Sequence, residues 1–130
     1  MILDASALIA LIEGEPEAGA FLDVIARSPS VSMSAATFVE VSIVIDSRGD
    51  PVLSRSLDTL LDDLDVTIEP VSHEQALVAR QAYRDFGKGR RHPAQLNFGD
   101  CFSYALASTS GQPLLFKGSD FAHTDVRAAL

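Results

Sequence analysis

The chain has 130 residues, of which 47% are apolar, and carries a formal net charge of −8. This length predicts one domain over residues 1–130, with enough apolar residues for one hydrophobic core. No run of about twenty apolar residues is present to cross a membrane, and the single cysteine, Cys101, excludes an internal disulfide and a multi-cysteine zinc site. The N-terminus shows no basic region or cleavage-like site of a signal peptide, so we expect a cytoplasmic protein.

The first element is a very short apolar strand, Ile2-Leu3, that ends at Asp4. A helix is predicted from Ala5 to about Ile12, with Ser6 close to its start. In open α/β sheets, ligands bind outside the carboxyl ends of the strands, where this carboxylate would lie. Asp is also a preferred residue for capping the N-terminus of a helix. Asp4 is therefore either a helix cap or a metal ligand.

Helices and short strands are predicted to alternate along the rest of the chain. This order indicates a parallel sheet connected by helical crossovers. The predicted elements are a helix from Pro16 to about Arg27, a strand Val31–Met33, a helix from Ala35 to about Ser47 capped by Ser34, a helix Val52–Leu64, a strand Val66–Val71, a helix from Ser72 to about Phe86, a helix capped by Asn97 or Gly99, and a strand Pro113–Phe116.

The third predicted helix, Ala35 to about Ser47, is apolar nearly all round and is expected to be buried. Glu40 is the one charge in its middle. A buried carboxylate costs free energy unless it is paired, protonated or bound to a metal. A negative charge near a helix N-terminus is also favourable for electrostatic reasons alone, so both a structural and a functional role for Glu40 stay open.

Positive charge is concentrated in one segment of an otherwise acidic chain. The segment contains Arg80, Arg84, Lys88, Arg90, Arg91 and His92, with only Asp85 to offset them. The sequence pI of about 4.6 argues against a general nucleic-acid-binding protein. This distribution of charge suits a protein that binds a basic partner on one face and a phosphate backbone on another. The loop Gly87–Pro93 is either a mobile binding loop or an ordinary solvated one.

Carboxylates occur at several places where a strand or loop leads into a helix, namely Asp4, Glu40, Asp100 and Asp120. In a small parallel sheet these places gather at one edge. Clustered carboxylates would take up protons unless a cation held them, and sites rich in oxygen ligands suit Mg²⁺ or Mn²⁺. Such a site supports phosphoryl transfer or phosphodiester hydrolysis without a nucleophilic side chain.

Three segments, in this order, resemble a known family. They are Asp4-Ala5-Ser6-Ala7-Leu8, Glu40 on the third helix, and Asn97-Phe98-Gly99-Asp100-Cys101-Phe102-Ser103-Tyr104-Ala105. Together with Leu114-Leu115-Phe116-Lys117-Gly118-Ser119-Asp120-Phe121, they make nearly the whole chain similar to PIN-domain ribonucleases. More narrowly, the chain resembles the VapC toxins of bacterial type II VapBC toxin–antitoxin modules.

The resemblance implies an α/β/α sandwich, a short parallel sheet with helices on both faces. It also implies a Mg²⁺- or Mn²⁺-dependent endoribonuclease that cleaves cellular RNA. By resemblance, Asp4, Glu40 and Asp100 are the catalytic and metal-binding carboxylates, and Ser6 supports the metal site. Many relatives have Asp or Asn where this chain has Ser119, so the fourth acidic role falls to Asp120, with Asp125 as a weaker candidate.

The resemblance further implies a homodimer and silencing by a VapB-type antitoxin, whose basic character would suit this acidic chain. Contacts between Lys88, Arg90 or Arg91 and the RNA backbone are our own inference from the charge pattern. The apolar helices Phe38–Ile45 and Val52–Leu64 are candidate dimer faces. The alternatives are an inactive module that binds RNA or antitoxin without cleavage, and a phosphatase or DNA nuclease built on a similar acidic cluster.

Overall fold

The computed structural model describes all residues from Met1 to Leu130 and contains a four-stranded sheet in the order β3-β2-β1-β4. All three strand pairings are parallel, as the alternation of elements predicted. The strands are β1 Ile2–Leu3, β2 Val31–Ser34, β3 Val66–Glu69 and β4 Leu114–Leu115. The helices are α1 Ala5–Ile12, α2 Ala18–Ala26, α3 Ala35–Asp46, α4 Pro51–Asp63, α5 His73–Phe86 and α6 Asp100–Ser110, followed by a 3₁₀ turn Phe121–His123.

Helices cover both faces of the sheet, which confirms the predicted sandwich. Because side chains alternate along a strand, Leu3 and Leu115 enter one buried cluster, with residues of α1 to α4. Ile2 and Leu114 enter a second cluster, with residues of α5 and α6. Cys101 lies in this second cluster, and burial raises the pKa of its thiol to about 11, as expected of a core cysteine.

The predicted burial of α3 is wrong for one of its faces. Val41 and Ile45 are fully buried, but Val39 and Ile43 are 53% and 63% exposed. The helix packs with one side against α1 and α4, and nothing in the chain covers the opposite side. The apolar composition of this helix predicted burial on all sides, but the rest of the chain packs against only one side of it.

Two predicted boundaries shift by two residues, and several others by one. The helix α2 begins at Ala18 instead of Pro16, because residues before it form a turn in which the Ala18 amide donates to the Glu15 carbonyl at 2.9 Å. The strand β3 ends at Glu69, directly before Pro70, which has no amide to donate to a neighbouring strand. None of the helices combines the length and apolar character needed to cross a lipid bilayer.

Candidate active site

Asp4 ends β1 and is almost completely buried, with 3% of its surface exposed. Its Oδ2 accepts hydrogen bonds from the Ser6 amide at 3.0 Å and the Ser6 hydroxyl at 2.6 Å. Its Oδ1 accepts one from the Ser103 hydroxyl at 2.7 Å. The Ser6 hydroxyl in turn accepts from the Lys117 amide at 3.0 Å, next to the end of β4. Asp4 therefore caps α1, and the same contacts hold it at the carboxyl end of the sheet.

Asp100 is the first residue of α6 and exchanges two hydrogen bonds with Asn97. The Asn97 amide donates to Asp100 Oδ2 at 2.8 Å, and the Asp100 amide donates to Asn97 Oδ1 at 2.8 Å. This reciprocal pair resembles a capping box and fixes the start of the helix. Of the two caps predicted from the sequence, Gly99 occupies the N-cap position, and Asn97 binds the first residue of the helix from two positions before Gly99.

The pKa of Asp100 shows which charges surround it. This pKa is raised to about 7, chiefly by burial and further by the charges of Asp4, Asp120 and Glu40, against the opposing effect of the Asn97 hydrogen bond. Burial, followed by the charge of Asp4, also raises the pKa of Glu40. The other three predicted carboxylates therefore all act electrostatically on Asp100.

No basic side chain neutralises this acidic group. The three ion pairs of the chain join Arg48 to Glu13 and Lys117 to Glu15 and Glu17, and none includes the four carboxylates. The group carries a net negative charge and has only hydroxyl and amide donors around it. Its unbalanced charge and its oxygen-only ligands fit a divalent cation such as Mg²⁺ or Mn²⁺.

The present side-chain arrangement does not form a ready-made metal cluster. No three His, Cys, Asp or Glu side chains are placed so that together they could hold a metal ion. Asp4 is bound by Ser6 and Ser103, and Asp100 Oδ2 accepts from the Asn97 amide. Asp4, Glu40, Asp100 and Asp120 would hold a cation once the carboxyl groups of Glu40, Asp100 and Asp120 turned toward it.

The two candidates for the fourth acidic position differ in their surroundings. Asp120 is exposed, precedes the 3₁₀ turn, and acts electrostatically on Asp100. Asp125 accepts a hydrogen bond from the Tyr104 hydroxyl at 2.6 Å and is not among the charges that shift the pKa of Asp100. The geometry favours Asp120, and its role stays a prediction.

The basic loop is anchored close to this site. The Lys88 amide donates to the Leu96 carbonyl, and the Leu96 amide donates to the Phe86 carbonyl, both at 2.9 Å. The chain then continues directly into Asn97, which binds Asp100. Within the loop, Lys88, Arg90 and Arg91 are exposed and make no ion pair. These cations are therefore free to bind an external anion.

The comparisons with known proteins agree with this geometry. The PIN domain family matches residues 1–127. Ribonuclease VapC28 of Mycobacterium tuberculosis is 52% identical over 130 residues, which cover 100% of this chain and 98% of that protein. This chain belongs to the VapC family of PIN-domain ribonucleases. A further VapC ribonuclease, from Mycolicibacterium smegmatis, is 50% identical over 128 residues and 98% of each chain.

Solved structures show the same fold at lower identity. VapC20 of Mycobacterium tuberculosis, described as a sarcin–ricin loop cleaving toxin, aligns with a TM-score of 0.70 and 21% identity over 97% of this chain and 98% of that one. VapBC2 of Rickettsia felis, bound to a promoter DNA fragment, aligns with a TM-score of 0.74 and 13% identity over 98% of this chain and 94% of that one. The sandwich is thus the fold of VapC toxins.

Two residues of the site were not predicted from the sequence. Ser103 binds Asp4, and Thr37 binds Ser103, both fully buried. Their spacing gave the only signal: Thr37 lies three residues before Glu40, and Ser103 lies three residues after Asp100. Residues three apart share a helix face, so each hydroxyl lies on the same face as a predicted carboxylate of this VapC chain.

Gly99 leaves the space that Glu40 occupies, which gives a testable prediction. A Cβ at position 99 would clash with both carboxylate oxygens of Glu40, although the backbone at Gly99 (φ −64°, ψ −44°) suits any residue. The Glu40 side chain is flexible, so Gly99→Ala should fold normally and displace that carboxylate. We expect ribonuclease activity to fall by roughly one to two orders of magnitude. The cleavage rate measures this effect, and the melting temperature checks that the variant is folded.

The matched control is Gly19→Ala on α2, where an added Cβ meets no atom within 4 Å. This variant should keep both activity and stability. Full activity in Gly99→Ala would show that the position of Glu40 does not matter for cleavage.

Proposed function

We propose that this chain is a Mg²⁺- or Mn²⁺-dependent endoribonuclease, the toxin of a type II toxin–antitoxin module, which hydrolyses phosphodiester bonds in RNA through one PIN domain over residues 1–130. One observation carries the proposal. The pKa of Asp100 is raised to about 7 by burial and by the charges of Asp4, Asp120 and Glu40, and no Lys or Arg pairs with any of these acids. A divalent cation would relieve this repulsion.

The residues divide the work as follows. Asp4, Glu40, Asp100 and Asp120 would hold the cation. Ser6 keeps Asp4 in place through its hydroxyl and amide, and the Asn97 amide keeps Asp100 in place. When bound, the cation polarises the phosphate and lowers the pKa of a water molecule that attacks it.

The test is cleavage of RNA in Mn²⁺ and in EDTA by the wild type and by Asp4→Asn. Asparagine is also a good helix cap, so this variant should fold and lose cleavage. We expect cleavage by the wild type in Mn²⁺ and none in EDTA. Cleavage that survives both EDTA and the substitution would overturn the metal mechanism. Parallel assays with DNA and a phosphomonoester separate a ribonuclease from a DNA nuclease or a phosphatase, and metal binding without any cleavage would indicate an inactive module.

We propose that the basic loop binds the RNA backbone through Lys88, Arg90 and Arg91. The loop leaves α5 and returns directly into Asn97, which binds Asp100. Phosphate contacts of this kind give binding that weakens with salt. They would also hold RNA on an acidic protein that otherwise repels it.

Neutralising the loop should weaken RNA binding and change its salt dependence. In an Asp100→Asn background, which prevents cleavage, we expect Lys88→Gln, Arg90→Gln and Arg91→Gln together to reduce the slope of log Kd against log salt by about 2, since each contact to a single strand contributes about 0.7. The measurement is RNA affinity at several salt concentrations. The control is Arg55→Gln on α4, an exposed cation outside the loop, and an equal effect of this change would contradict a role specific to the loop.

We propose a VapB-type antitoxin as the inhibitory partner and a homodimer as the assembly. A toxin–antitoxin complex from Klebsiella pneumoniae shares the fold, with a TM-score of 0.72, and the net charge of −8 suits a basic inhibitor. For the dimer, the open side of α3 is favoured over α4. Val39 and Ile43 lie with Phe98, which is 77% exposed, beside an apolar groove of about 420 Å³, whereas Leu57 and Leu61 of α4 are buried.

A further inference from the structure

A chain of buried hydroxyl groups ends on the Asp4 carboxylate. Thr37 Oγ1 lies 3.0 Å from Ser103 Oγ, and Ser103 Oγ lies 2.7 Å from Asp4 Oδ1. Thr37 and Ser103 are both fully buried. These hydrogen bonds link α3, which carries Glu40, to α6, which carries Asp100, and join both helices to the end of β1.

The two hydrogen bonds that join Thr37, Ser103 and Asp4 run in one direction. An ionised carboxylate only accepts hydrogen bonds, so Ser103 gives its single proton to Asp4. Thr37 must then donate to Ser103. Two bonds in series polarise each other and strengthen the contact with Asp4.

Several other hydroxyls in the helices of this protein bond within their own helix. Ser42, Thr109 and Ser110 each donate to the backbone carbonyl four residues earlier, at 2.6–2.8 Å. This is the ordinary way in which a helical Ser or Thr satisfies its hydroxyl. Thr37 and Ser103 instead donate their hydrogen bonds across the core, Thr37 to Ser103 and Ser103 to Asp4.

The hydrogen bonds also determine which oxygen of Asp4 remains open. A carboxylate has about four acceptor sites, about two on each oxygen. Oδ2 is filled by the amide and hydroxyl of Ser6. Oδ1 accepts from Ser103 alone and keeps about one free site. Ser103 thus holds the one oxygen of Asp4 that can still bind a cation.

We propose that Ser103, and Thr37 acting through it, are positioning residues that orient Asp4 Oδ1 toward a divalent cation. The inference rests on the proposed metal-dependent function. It assigns a task to two buried hydroxyls that do not touch the substrate themselves.

The proposal is tested by the Mn²⁺ affinity of the intact protein, measured by calorimetry. The melting temperature without metal reports the stability of each variant. Ser103→Ala should weaken Mn²⁺ binding roughly 10- to 100-fold, the usual effect of losing a residue that orients a metal ligand. Thr37→Val should weaken it less. The double variant should bind like Ser103→Ala alone, because Thr37 acts only through Ser103. Thr37→Ser keeps the hydroxyl and should restore wild-type affinity.

The outcomes distinguish positioning from simple packing. Lower stability of Ser103→Ala with unchanged Mn²⁺ affinity would overturn the proposal, and so would additive effects in the double variant. If Ser103→Ala does not fold, Ser103→Cys, which keeps the size but donates weakly, must show the same loss of affinity. Wild-type protein that binds Mn²⁺ but does not cleave RNA would overturn the proposed function alone, and failure of the wild type to bind Mn²⁺ would overturn both.

Discussion

Asp100→Asn is expected to reduce RNA cleavage by roughly two orders of magnitude or more, the usual scale for removing one electrostatic contribution in an active site. The fold should survive. The Asn97 amide now donates to Asp100 Oδ2, and the amide oxygen of asparagine can accept the same hydrogen bond. The change therefore removes a charge from the acidic group while the cap of α6 stays in place. Cleavage rates at saturating Mn²⁺, with circular dichroism as the check on folding, measure the effect.

Two comparisons make this result specific. Asp23→Asn on the exposed side of α2 makes the same change of charge and should leave cleavage unaltered. Asp120→Asn should reduce cleavage more than Asp125→Asn, because Asp120 acts on Asp100 whereas Asp125 binds Tyr104. Wild-type activity in Asp100→Asn would remove this residue from the site.

Most of the fold follows from local patterns in the sequence. Short apolar strands alternate with helices, and the caps Asp4, Ser34 and Ser72 all accept the expected amide hydrogen bond. Capping is a local interaction, so the residues near it in sequence suffice to predict it. The prediction that the carboxylates lie near one another followed from a rule of topology, that the carboxyl ends of parallel strands lie at one edge.

What the sequence could not predict depends on distant contacts. The open side of α3, with Val39 and Ile43 exposed, cannot be told from a buried side by composition, because the sequence does not show whether another surface covers it. The Thr37–Ser103 pair joins residues 66 positions apart, and helical hydroxyls usually bond to their own helix. The choice between a cap and a metal ligand for Asp4 was not a true alternative, since one carboxylate can do both.

The dependence of metal-free stability on pH is expected to differ between the wild type and Asp100→Asn. An aspartate in an unfolded chain has a pKa of about 3.9, and the folded protein raises the pKa of Asp100 to about 7, chiefly by burial. Between these values the folded protein keeps a proton that the unfolded chain has lost. The stabilising contribution of Asp100 is therefore fully present below about pH 4 and is lost as the pH rises through about 7. Glu40, whose pKa is also raised, adds a change of the same sign.

Asparagine is close to a neutral copy of protonated Asp100, so the difference between the two proteins isolates this one group. In EDTA at pH 8, Asp100→Asn should melt several degrees above the wild type, corresponding to roughly 1–3 kcal/mol once partial exposure is allowed for. At pH 5 most of this advantage should disappear. Mn²⁺ at pH 8 should reverse the order, because a cation stabilises the protein that binds it more tightly. A difference in melting temperature that does not change with pH would contradict the repulsion within the acidic group. If Mn²⁺ raised the melting temperatures of the wild type and Asp100→Asn equally, Asp100 would not be a metal ligand.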